Sequence, residues 1–147
     1  MKIEYKFFFT VSAFVVSAIS PVLVPFAIGA DGNLNTMGFA AGVLFWAGIL
    51  LGSICYFLLF QKEKKNIKEA LPEKKLFSGF RFFSNPLAII ADVMLIVGVI
   101  GTIYCANNIQ ISEIVAVFFL VIMLVGIYTH FLFNGKLYRY IRECLHT

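Results

Sequence analysis

Charge is what this sequence has least of: only 14% of its 147 residues are Asp, Glu, Lys or Arg, against about 25% in soluble domains. Histidine is rarer still, with His130 and His146 the two in the chain. Cys55, Cys105 and Cys144 make an odd count of three, none at CxxC spacing. No disulfide framework and no thiol-redox chemistry follow from them. The chain has no GxSxG, Walker A, GxGxxG, HExxH or Cys/His cluster, which speaks against the hydrolases, nucleotide enzymes and zinc enzymes that need them. No catalytic residue, metal site or cofactor is expected.

What fills the space is apolar. Hydrophobic residues make up 61% of the chain, Phe alone accounts for 17 residues, and the mean hydropathy is +0.91. A soluble chain this short could not bury so much apolar surface. Apolar runs extend from about Phe7 to Ala30, Met37 to Phe60, Leu87 to Ala106 and Ile114 to Phe133. Each is near the roughly 20 residues a helix needs to cross a bilayer, and none alternates as a barrel strand does. The expected fold is all-α: one polytopic domain of four transmembrane helices in two hairpins, with a basic loop over 61–86 and a tail over 134–147. Pro21 and Pro25 each remove a backbone donor, so the first helix should bend in its outer half. Its basic start and small residues near Ala30 imitate a signal peptide, but the run is long and proline-interrupted, so it is read as a retained span. Asn85 before Pro86 is a helix start, a capping side chain ahead of a proline at the first helical position. Asn134-Gly135 is a helix stop, at residues that tolerate positive φ.

The cations are distributed unevenly. All 12 Lys and Arg lie before the first run, in the middle loop or in the tail, and the two short turns have none. The positive-inside rule then puts both termini and the middle loop in the cytoplasm. Phe, Ile and Lys usage points to a bacterial AT-rich genome, and the expected location is the bacterial inner membrane.

Two basic segments are amphipathic. In the middle loop Leu76, Phe77, Phe80 and Phe83 share a helical face, with Lys74, Ser78 and Arg81 opposite and Lys75 beside them. In the tail Leu137, Ile141, Cys144 and Leu145 face one way, and Arg139, Arg142 and His146 the other. Short interfacial helices of this kind anchor topology, and they also suit anionic headgroups or a partner, at ~1 kcal/mol per cation near an anionic surface. Nothing suggests nucleic-acid binding.

Small residues mark packing faces. Gly38, Gly42, Gly48 and Gly52 form GxxxG steps in the second helix, and Gly98 and Gly101 mark the third. They fit packing of the second helix against the first or third, or association with another copy or a larger membrane protein.

Among ionised side chains, Asp92 alone falls well inside a run, about 9 Å past Pro86 at 1.5 Å per residue. His130 falls at a similar depth on the antiparallel fourth helix, with Tyr128 beside it and Tyr56 at a comparable level on the second. An intramembrane carboxylate suggests a site. Asp92 and His130 could carry a proton, hold a cation or fix two helices; alternatively Asp92 is shallow enough to hydrate or pairs with Arg81 or a loop lysine. In composition the chain resembles bacterial bacteriocin-immunity and conjugation-exclusion proteins, small, basic, Phe-rich and polytopic; the likeness assigns no residue a role. The expected function is binding to another membrane component, as an accessory subunit, assembly factor or immunity-type protein. The alternative is a small oligomeric transporter or channel with an Asp92/His130 proton or cation relay.

Overall fold

The computed structural model describes residues 2–29, 32–71, 82–83, 85–108 and 110–146, with residues 145 and 146 described by backbone alone. In chain order they form α1 (Ile3–Ile19), a 3-10 helix (Ser20–Phe26), α2 (Thr36–Ala70), α3 (Pro86–Asn107), α4 (Glu113–Asn134) and α5 (Lys136–His146). Four spans, α1 with its 3-10 extension, α2, α3 and α4, are long and apolar enough to cross a membrane. The chain is a small polytopic all-α membrane protein packed as hairpins, α1 on α2 and α3 on α4. The middle-loop segment with Lys74, Lys75, Phe77, Phe80 and Arg81 lies outside the described residues.

The first span departs from the expected bent α-helix. With Pro21 near the start and Pro25 inside, residues Ser20–Phe26 tighten to a 3-10 helix, the outcome of losing two i→i−4 donors. A narrow hairpin then turns the chain. Ile28 and Leu34 bridge across it, and Gly32 sits at φ 77, where a Cβ would be strained. Asn35 closes the turn and starts α2: its side chain accepts from the amides of Met37 and Gly38 and donates to Phe26 O at 2.6 Å.

α2 runs on to Ala70, beyond the apolar segment. Residues 61–70 contain no Gly or Pro and are rich in good helix formers. Pro86 sits in the first turn of α3, and Asn85 caps it by accepting from Ala88 N at 2.8 Å. Gly135, by contrast, does not take the expected left-handed conformation; it is extended, at φ −80 and ψ 165. Here glycine answers a close approach, since a Cβ would lie 2.8 Å from the Tyr56 hydroxyl.

The helices stand in an open row, α2–α1–α4–α3, and α3 meets chiefly α4. A buried hydrophobic cluster runs from Phe14 to the end of the row that carries α5. There Phe7, Leu59, Ile67, Leu132, Leu137 and Ile141 are all buried together. The apolar face of α5 is turned into the bundle, with Leu137 fully buried and Ile141 3% exposed, while Cys144 is exposed rather than on that face. Phe7, Phe133 and Tyr138 pack ring on ring, with centroids 4.9–6.0 Å apart. Ile67, Leu137 and Ile141 lie beyond the apolar runs, so their burial draws on the hydrophobic effect, at about 1.5–3 kcal/mol for each large side chain. Between the lipid-embedded helices that drive is absent, and close packing takes its place.

Candidate functional site

The α3–α4 pair is set by glycines. A Cβ on Gly98 would lie 2.5 Å from Met123 N, and one on Gly126 would lie 2.6 Å from Leu95 N. Gly101 leaves room for the Phe119 ring. This antiparallel register carries Asp92 of α3 to His130 of α4, toward the α5 end of the row.

Asp92 is fully buried. Its Oδ1 lies 2.6 Å from His130 Nδ1, and the His130 side chain is 14% exposed. Its Oδ2 accepts a hydrogen bond from the Phe83 amide at 2.6 Å. Phe83 makes that bond from φ 54, a left-handed conformation that costs a non-glycine residue roughly 1–3 kcal/mol. Phe82 stacks on the imidazole, with centroids 4.9 Å apart and planes 28° from parallel. On the far side of the ring, Asn134 Nδ2 lies 3.4 Å from His130 Nε2. A neutral imidazole protonated on Nδ1 satisfies both neighbours, donating to Asp92 and accepting from Asn134. Turning the Asn134 amide over would present an oxygen to Nε2 and suit the imidazolium.

The structure therefore brings Asp92 and His130 together and keeps Asp92 from solvent. Tyr128 and Tyr56 make contacts with other residues. The Tyr128 hydroxyl lies 3.1 Å from Ser17 Oγ of α1, and its ring packs on Phe14 at 5.0 Å, tying one hairpin to the other. Tyr56 packs on Phe131 at 5.1 Å. Beside these residues stand Ser17, Phe82 and Gly126, which nothing in the sequence singles out, and Phe83 and Asn134, expected as part of an amphipathic face and of a helix stop. A small residue facing Ala91 and Leu95 was the available signal for Gly126. Nothing local announces a backbone amide such as that of Phe83.

The glycines of α2 divide. Gly48 meets Ala13 O and Ser17, Gly52 meets the Phe14 ring and Gly38 meets Leu34 and Ala27, whereas a Cβ on Gly42 would find nothing within 4 Å. Gly42 borders an apolar cavity of about 360 Å³ shared with Pro21, Val24, Phe45 and Leu120. On α5, Arg142 is exposed and Arg139 half-buried. Among the described residues no group of three His, Cys, Asp or Glu could hold a metal ion.

No family model, curated protein or solved structure matches the chain.

Proposed function

We propose that this chain is an accessory protein of a bacterial inner membrane, with both termini cytoplasmic, that recognises another membrane protein through its cytoplasmic end. The observation that carries this reading is a buried cluster that extends beyond the apolar runs. The end bearing α5 and most of the described cations holds the buried cluster of Phe7, Leu59, Ile67, Leu132, Leu137 and Ile141. α2 projects there past its apolar segment, and the exposed Lys64, Lys65, Lys68 and Arg142 surround it. A rigid platform with a cationic rim suits recognition more than turnover. The Asp92 carboxylate is satisfied on both oxygens, as befits a clamp that holds Phe82 and Phe83 against α4.

The test is photo-crosslinking from positions 68 and 142 in the native membrane. A discrete adduct from each position is expected, and the one from position 68 should disappear with Arg142→Glu. A protein that is monomeric and yields no adduct from either position contradicts the proposal.

A second reading is favoured by the buried Asp92–His130 contact itself: a proton or cation relay in a small transporter. It requires that Asp92→Asn and His130→Ala abolish flux in proteoliposomes while assembly persists, and unchanged flux in both removes it.

A further inference from the structure

The α1–α2 packing has a consequence at its basic end. Gly48 admits Ala13 and Ser17, and Gly52 admits Phe14. Following that antiparallel register toward the start of α1 brings Lys6 opposite the stretch around Leu59 and Lys62. The two lysines stand at the mouth of a cavity of about 270 Å³, lined below them by Phe9, Cys55, Leu58 and Leu59. Their ammonium groups are close enough for their charges to repel each other, and the Glu63 carboxylate nearby offsets part of that repulsion. Glu63 also accepts a hydrogen bond from Asn66 at 2.8 Å. Two cations against one carboxylate leave the rim positive.

The depth of these groups matters. Lys6 and Lys62 flank the apolar runs, at the level of headgroups. Cys55 lies about 10 Å deeper along α2 at 1.5 Å per residue, at the level of the first acyl methylenes. Phe9 is 58% and Leu58 60% exposed, so both present apolar surface to the bilayer. A phosphodiester between the ammonium groups would replace their repulsion with two charge-assisted contacts. Lysine stems lie well along apolar surface with the charge held at the interface.

We propose that this α1–α2 groove is a binding site for one anionic phospholipid, with its phosphate between Lys6 and Lys62 and an acyl chain along Phe9, Cys55 and Leu58. The site needs only the membrane-spanning fold and stands apart from the partner-binding proposal. It differs from general attraction of a basic surface to anionic lipid in having two named cations over an apolar floor of Phe9, Cys55, Leu58 and Leu59.

The test is native mass spectrometry of the full chain in mild detergent with equimolar phosphatidylglycerol and phosphatidylcholine. The unaltered protein should retain one phosphatidylglycerol with about tenfold preference, and Lys6→Gln with Lys62→Gln should reduce that preference to near parity. Lys64→Gln with Lys65→Gln, which removes two cations outside the groove, should leave it unchanged. Equal losses in the two double variants would mean diffuse attraction and would overturn the site. So would full competition by soluble glycerol phosphate, which has the headgroup chemistry but no chain. A second measurement keeps both lysines: Leu58→Trp in a Trp46→Phe background. Its fluorescence should be quenched by chain-brominated phosphatidylglycerol more than by chain-brominated phosphatidylcholine. Equal quenching by the two lipids would also overturn the proposal.

Discussion

Asp92 combines full burial with two short hydrogen bonds, and removing either neighbour leaves a carboxylate oxygen without its partner. His130→Ala should therefore destabilise the protein by about 1–3 kcal/mol, read from thermal unfolding in detergent. Asp92→Asn, which can still donate or accept, should cost less. A double-mutant cycle across the pair should return a coupling of about 1–2 kcal/mol; a value near zero would mean that the contact does not hold the helices. Phe83 supplies a separate check on the same carboxylate. Its side chain is 53% exposed, so Phe83→Gly should be tolerated, since glycine adopts φ 54 without strain. Phe83→Pro removes the amide donor and cannot adopt that φ, and its melting temperature should fall clearly below that of Phe83→Gly. The identities of Asp92 and His130 were legible because ionisable residues inside apolar runs are rare. The oxygen-by-oxygen arrangement was not, because a backbone amide donor such as Phe83 leaves no signature in residue type.

At the scale of the element, helix contacts depend on which glycine is touched. Gly98→Ala should strain Met123, and Gly48→Ala should strain Ala13 and Ser17, each at a cost of roughly 1–3 kcal/mol. Gly42→Ala meets open space and should be neutral or slightly stabilising. Thermal unfolding of the three variants measures this directly, and equal effects at Gly42 and Gly48 would contradict the packing described. The sequence pattern marked both as steps of one motif. What separates them is the cavity that Gly42 borders beside Pro21 and Val24 of the 3-10 segment, and no motif encodes that. Start and stop signals were legible where side chains act locally, as at Asn85 and Pro86. The stop at Asn134-Gly135 was legible too, since α4 ends at Asn134; the extended backbone of Gly135 was not, because its close approach to Tyr56 is a tertiary contact. The face of α5 was legible as amphipathic through Leu137 and Ile141. That it would close on Ile67, Leu132 and Phe7 depends on a tertiary arrangement that periodicity does not carry.

For the whole molecule, the hairpins were legible because length, hydropathy and polar turns act additively along a chain. The order of the row was not, since it hangs on contacts such as Ser17 with Tyr128 that join residues 111 positions apart. Orientation rests on the placement of cations and has its own test. A membrane-impermeant maleimide should label Asn33→Cys in intact cells in a background without the native cysteines. In a second variant that keeps Cys144 alone, exposed on α5, it should label only after the membrane is opened. The reverse pattern would invert the topology.

The open row also bears on how the molecule is made. Each hairpin pairs helices that leave the ribosome one after the other, and its tightest contacts, Gly48 and Gly52 in one and Gly98, Gly101 and Gly126 in the other, lie within the pair. Each can thus be completed at the insertion machinery before it meets the other. Two fragments divided between residues 71 and 82 and expressed from separate messages should find each other in the bilayer through α4, α1 and the 3-10 segment, and should copurify as a one-to-one pair. Exchanging Ser17 and Tyr128 for Ala and Phe should weaken that reunion while leaving each fragment inserted.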